Sequence, residues 1–253
     1  MEKTPHKIFL ISALLALMCS CSDRMLNENS TDVTSKAANV TFSFDSITEP
    51  NNWARYQTLE EMMAACQIPE AKLKSMSTDE LIEVCMSHPL HALYFAYNNE
   101  LDGAEVVINN FNGFKELKER ADAPQKMLAF YEDVNFPQKS RSIVSTKRKD
   151  FSKMTYMGFV ELYLASKELP GLYESENIST FERISNKVLE NKLKQPNPKL
   201  YNIRHTLLIN SQIKLKDGTL SNDERDVLKS FVKVGGKVEN PKEYSRVSAI
   251  IAK

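Results

Sequence analysis

The sequence predicts an all-α fold, either an irregular helical solenoid or a compact helical bundle, on three observations. Capping boxes recur four times: Thr58 with Glu61, Ser77 with Glu80, Ser179 with Glu182, and Ser221 with Glu224. In each, the hydroxyl accepts from the amide three residues on and the glutamate reaches back to the cap amide, satisfying two donors that a helix start otherwise leaves unpaired. Apolar residues then follow each start at helical spacing. Finally, only seven glycines occur in 253 residues, too few for a turn-rich β architecture or for glycine-rich phosphate loops.

Taken in order, residues 22–50 are rich in Asn, Ser, Thr and Asp and read as a flexible tether. Within them Val40-Thr41-Phe42-Ser43-Phe44 alternates at period two, as an isolated strand or a segment docked on the first helices would. Thr58 opens a helix whose face is Leu59, Met62, Met63 and Cys66; a short helix over 69–76 leads to Ser77, which opens one carrying Leu81, Val84, Cys85 and His88. Met76 and Leu81 add a hydrophobic staple. Leu101, Ala104, Ile108 and Phe111 mark the next face, and Asn112-Gly113 splits that pattern into two helices. Asp122 and Pro124 open another, and Phe159, Leu162 and Tyr163 mark a later one.

The apolar pattern stops over 137–149, where Lys139, Arg141, Lys147, Arg148 and Lys149 occur without an acid. This reads as a solvated basic linker between a helical half at 51–136 and another at 150–253, or as a contact for anionic partners. Thr58–Cys66 aligns with Ser77–Cys85 at an offset of 19, each cysteine lying eight residues after its cap. That offset is too short for a helix-pair repeat, so superhelical packing of the armadillo or HEAT kind is expected only in irregular form.

The first 21 residues have a separate character. Lys3 and Lys7 precede an apolar run from Ile8 to Met18, and Cys19-Ser20-Cys21 closes it. Eleven or so apolar residues fall short of the roughly 20 that span a bilayer as a helix. The layout resembles the type II signal peptides of bacterial lipoproteins, with Met18 at the bulky position and Ser20 at the small one before the cysteine. Cys19 departs from that pattern by occupying a place usually held by a small or hydroxyl residue. Cutting before Cys19 instead would put the larger Met18 next to the bond. The resemblance implies that residues 1–20 are removed, that Cys21 is the lipidated residue, and that the chain is held at a membrane by its lipid. Ser22, where an Asp marks inner-membrane retention in some groups, implies the outer membrane. The segment from Trp53 to Arg120, with Met76-Ser77-Thr78-Asp79-Glu80-Leu81-Ile82-Glu83-Val84-Cys85 and Asn110-Phe111-Asn112-Gly113-Phe114, is similar to exported proteins of gut Bacteroidota. That resemblance implies an envelope address and no particular activity.

The chain carries 33 basic and 33 acidic residues. Without Lys3, Lys7 and Glu2 the remainder is one negative charge out of balance, which supplies no field for nucleic acid. His88 and His91 are the one close histidine pair, but Pro89 between them breaks the helix that would aim both rings at a metal, so no metal or cofactor is expected. His88 reads as a boundary residue with its ring nitrogens satisfied by a neighbour. Export permits a disulfide. Cys66 and Cys85, on apolar faces in the third turns of their helices, are expected as buried free thiols or as a disulfide; as nucleophiles based by His88 or His205 they lack the helix N-terminus or cation that lowers a thiol pKa. The carboxylates of Glu60-Glu61, Asp79-Glu80 and Asp223-Glu224 are accounted for by first-turn placement. Trp53 reads as a plug for the first helix pair, and Tyr94, Phe95 and Tyr97 as core. The expected function is a lipid-anchored, non-enzymatic helical module of the cell envelope that binds a protein partner. The alternatives are a glycan or small-ligand binder and an envelope hydrolase.

Overall fold

The computed structural model describes residues 42–136, 150–194, 203–238 and 240–253. Among these the fold is all-α, with no strand. The helices are α1 (Asp45–Thr48), α2 (Pro50–Trp53), α3 (Leu59–Ala65), α4 (Glu70–Ser75) and α5 (Thr78–Met86), then a 3₁₀ segment (Pro89–Ala96). After it come α6 (Glu100–Asn110), α7 (Asn112–Lys118), α8 (Ala123–Asn135), α9 (Asp150–Ala165), α10 (Ser175–Leu193), α11 (Ile203–Lys214), α12 (Asn222–Lys233) and α13 (Pro241–Ile251).

Three of the four capping boxes form as the sequence predicts, at Thr58, Ser77 and Ser221. The fourth does not. Ser179 lies in the second turn of α10, whose start is displaced upstream to an extended, uncapped Glu174. The reason is the stripe that α10 buries: Asn177, Phe181, Ile184, Val188 and Lys192 all turn inward, and Asn177 Nδ2 donates to the Gly171 carbonyl 2.9 Å away. Extending the helix by a turn buries this residue, and leaves Ser179 and Glu182 as an exposed pair on the opposite face.

The break between α6 and α7 is built by side chains. Asn112 exchanges two hydrogen bonds with the backbone of Ile68, donating through Nδ2 at 2.8 Å and accepting at Oδ1 at 3.0 Å. Gln67 does the same from the other side, accepting from Asn112 N at 2.9 Å and donating to the Asn110 carbonyl at 3.0 Å. Two amide side chains thus replace the helical bonds lost at Phe111 and tie the α3–α4 turn to this junction. Gly113 is needed for a second reason: a Cβ there would stand 2.4 Å from the Phe111 ring and 3.0 Å from Cys85 Sγ. The ring of Phe111 therefore packs against the α7 backbone at Gly113.

One expectation about organisation changes, and another lies beyond the described residues. Phe42 and Phe44 are buried, and Phe44 has helical backbone angles at the start of α1. The alternation at 42–44 therefore docks two rings instead of forming a strand, and the tether read over 21–50 gives way to folded chain from Phe42; Val40 and Thr41 lie outside the described residues. The stretch read as a basic linker, 137–149, also lies outside them. The residues on either side of it share one continuous core. Helix α9 packs on α6 and on the 3₁₀ segment, and α11 lies among α9, α10, α12 and α13 with every residue from His205 to Ile213 buried.

The caps give a paired expectation. Ser77→Ala removes an acceptor for an otherwise unpaired helix donor and should cost about 1 kcal/mol in urea unfolding, whereas Ser179→Ala, inside a helix and exposed, should stay within about 0.5 kcal/mol of the parent.

Candidate functional site

Chemistry-bearing side chains converge in the core rather than in a cleft. Helix α9 runs Phe159-Val160-Glu161-Leu162-Tyr163-Leu164-Ala165, every residue buried, with Glu161 wholly so. An ionised carboxylate without partners is prohibitive there. Three helices supply those partners. Tyr131 of α8 donates its hydroxyl to Oε1 at 2.9 Å, Thr206 of α11 donates to the same oxygen at 2.8 Å, and Lys192 of α10 donates to Oε2 at 2.6 Å. Lys192 exposes only a tenth of its side chain, so its charge is balanced by Glu161 rather than by water. Burial, with the Glu161 charge beside it, pushes the Tyr131 phenol well above its ordinary pKa, so it stays a donor.

A second cluster joins the start of α6 to the start of α11. Glu100 Oε2 accepts from His205 Nε2 at 2.6 Å and pairs with the Arg204 guanidinium. Tyr94 packs edge-on to the His205 ring at 5.8 Å and donates to the Thr155 carbonyl at 3.2 Å. Burial raises the Glu100 pKa, but the His205 and Arg204 contacts outweigh it and hold the carboxyl below the usual range. His205 is wholly buried, and that burial holds its pKa below the ordinary value against the pull of Glu100. The Glu161 charge is also felt at Tyr94 and His205, raising the pKa of each. One turn beyond Thr206 on α11, the amide of Asn210 is buried with no hydrogen-bond partner among the described residues.

The residues singled out from sequence are distributed differently. Cys21 lies outside the described residues, as does the basic run at 139–149. Cys66 and Cys85 are free, buried thiols. Burial pushes the Cys66 thiol up to about 12 and the Cys85 thiol well above its ordinary value. The helix ends at Met86 and a 3₁₀ segment starts at Pro89, between the two histidines: His88 Nδ1 accepts from Leu90 N at 3.1 Å, and His91 Nδ1 lies 2.7 Å from the His88 carbonyl oxygen. The expectation that both His88 ring nitrogens are satisfied fails at Nε2, which is buried with no hydrogen-bond partner among the described residues. Phe44 and Phe111 stand edge-on to its ring, with centroids at 5.4 and 4.6 Å. Trp53 and Tyr94 are core residues, while Phe95 and Tyr97 are only partly buried against it. Among the described residues no group of three His, Cys, Asp or Glu is placed to hold a metal.

Glu161, Lys192 and Glu100 were not singled out from sequence, and His205 was weighed there only as a base for a cysteine, not as the partner of Glu100. The one signal for Glu161 was a lone acid in an apolar run from Phe159 to Ala165. Searches against family models, curated proteins and solved structures return no match.

Two outcomes follow from the geometry. Glu161→Ala strands the Lys192 charge and two hydroxyl donors and should cost about 3–5 kcal/mol in chemical denaturation, while Glu161→Leu combined with Lys192→Met should recover most of that loss. For the cysteines, a thiol reagent at pH 8 should label the native protein far more slowly than the unfolded chain, because burial keeps both thiols protonated and out of reach. Both thiols should then react in denaturant without reductant; a requirement for reductant would mean a disulfide.

Proposed function

We propose that this chain is a lipid-anchored protein of the bacterial cell envelope, attached through Cys21 at the outer membrane, whose helical body is a non-enzymatic module that binds a protein partner. The observation that carries this reading is the leader, in which Lys3 and Lys7, the apolar run Ile8–Met18 and Cys19-Ser20-Cys21 follow the layout of a lipoprotein signal. Lipid attachment explains how a chain with a short apolar leader stays at a membrane: two acyl chains on one cysteine anchor far more stably than one. Among the described residues no helix is long and apolar enough to cross a membrane.

The body supports the non-enzymatic part through the use it makes of its ionisable groups. Glu161 and Lys192 satisfy each other inside the core, and Glu100 is committed to Arg204 and His205. On the described surface, Leu193 and Val234 are the exposed large apolar side chains. A partner that binds this surface therefore meets mostly polar and charged groups, and its recognition is salt-sensitive.

Replacing Cys21 tests the anchor directly. In the native host, Cys21→Ala should abolish incorporation of labelled fatty acid and move the protein from the membrane to the soluble fraction, while Cys19→Ala should leave both unchanged. Retention of Cys21→Ala in the membrane fraction would remove the basis of the reading. Crosslinking in intact cells should recover the same envelope protein reproducibly with the parent chain.

A further inference from the structure

The N-terminal end of the body is attached differently from everything after it. Residues 42–56 contain α1 and α2, of four residues each, and their hydrogen bonds among the described residues are local. Asp45 N donates to Ser43 Oγ, Thr48 Oγ1 to the Phe44 carbonyl, and Asn52 Nδ2 to the Ser46 carbonyl. None of these crosses to the rest of the body. Contact with it is apolar, through buried Phe42, Phe44 and Trp53 and partly buried Ile47 and Tyr56. By contrast, the α3–α4 turn immediately downstream is tied by four amide hydrogen bonds to the α6–α7 junction.

The surface under Phe44 is unusual for a ring to cover. It includes Phe111 and His88, and His88 is the group whose Nε2 is buried without a hydrogen-bond partner among the described residues. With Nδ1 occupied as an acceptor from Leu90 N, the neutral ring carries its proton on Nε2, which finds no acceptor among the described residues. Docking Phe44 therefore gains apolar burial and gives up solvation of an imidazole N–H.

We propose that residues 42–56 form a releasable strap, and that its docking over His88 and Phe111 is loosened by protonation of the His88 imidazole. The strap is the stretch that leads back toward Cys21, so release lengthens the connection between anchor and body; that consequence rests on the proposed lipid anchor, whereas the release itself does not.

The sign follows from the two states. Under the strap, burial first and His91 second depress the His88 pKa from 6.5 to about 3. With the strap away, the ring meets water and returns toward its ordinary value near 6.5. As pH falls below about 6.5 the released state binds a proton that the docked state refuses, so docking weakens by about tenfold per pH unit down to about pH 3. Other titratable groups around His88 do not reproduce this behaviour. Cys85, one turn back on α5, is a thiol held protonated by burial. The strap contributes exposed Asp45 and Glu49. His91, on the 3₁₀ segment, places Nδ1 2.7 Å from the His88 carbonyl oxygen and is not part of the surface that Phe44 meets edge-on.

Trp53 is the single tryptophan of the chain and lies in the strap, which makes release visible. The test uses the full-length processed protein, following hydrogen–deuterium exchange of peptides over 45–56 and Trp53 emission from pH 7.5 to pH 5. After correction for intrinsic exchange, strap amides should open about 30-fold more readily at pH 5, with Trp53 emission shifting to the red and amides of α8–α11 unchanged. His88→Asn keeps an acceptor for Leu90 N but does not titrate, and should abolish the pH dependence; His91→Gln should preserve it. Phe44→Ala should leave the strap open at every pH. Strap protection that follows the body at all pH values overturns the proposal, as does pH-dependent opening that persists in His88→Asn. The exchange result on the parent chain stands alone if a variant misfolds. Release in a protein whose Cys21→Ala form remains membrane-bound would uphold the strap while removing the anchor.

Discussion

The Glu161 carboxylate is the constraint on which the core depends. It sits on α9 with no exposed surface, and its donors come from α8, α10 and α11. An ionised carboxylate has about four lone-pair positions to fill, and three are filled here by groups that no single helix could provide. The desolvation cost of such a charge is several kcal/mol and is recovered only when the geometry is complete. The four helices therefore have one register that satisfies the carboxylate. Sliding α10 by a turn would remove Lys192, and sliding α11 would remove Thr206. Apolar packing alone tolerates such slips more readily, because it rewards area without specifying which side chain supplies it.

The same logic extends to the ends of the helices. Thr206 belongs to the helix that opens with Arg204 and His205, so fixing its register at Glu161 also fixes where that helix meets Glu100. Gln212, two turns further on, donates to the Ala165 carbonyl at the end of α9. With Glu161 opposite Thr206 and Ala165 opposite Gln212, α9 and α11 run in the same direction, held at both points. The interior thus carries compensated charges, Lys192 with Glu161 and Arg204 with Glu100, and each pair joins elements distant in sequence. Among the described residues the strap has no counterpart of these ties, since its hydrogen bonds are local.

Legibility from sequence divides along the same line. Capping boxes at Thr58, Ser77 and Ser221 were readable because both partners lie within four residues and answer to one local geometry. The break at Asn112-Gly113 was also readable, although its cause was not, since Gln67 and Ile68 are more than forty residues away. Ser179 misled because tertiary burial of Asn177 and Phe181 outweighed a local cap signal of about 1 kcal/mol. Glu161 was hidden for the reason that makes it important: its partners are 30, 31 and 45 residues away, and Glu100 and His205 are 105 apart. Each of those residues, taken alone in the sequence, resembles an ordinary surface residue or a boundary one. Only a charge inside the run Phe159–Ala165 was anomalous, and periodicity cannot say what neutralises it.

Under the proposed anchoring and release, anchor and strap together would set how far the body reaches. From Cys21 to Phe42 the chain has about 20 residues, whose fully extended length is at most about 70 Å. Under the proposed release, freeing residues 42–56 would raise that limit to about 120 Å. Positions beyond the shorter limit would then become accessible to the body. For a tethered binder this matters through effective concentration, which vanishes where the linker cannot span the gap and falls only slowly with length where it can. A partner lying beyond the shorter limit would be contacted only after release, and one close to the membrane would be bound almost equally well in both states. Under the proposed anchoring, the strap would thus select partners by distance without altering any contact surface beyond α2.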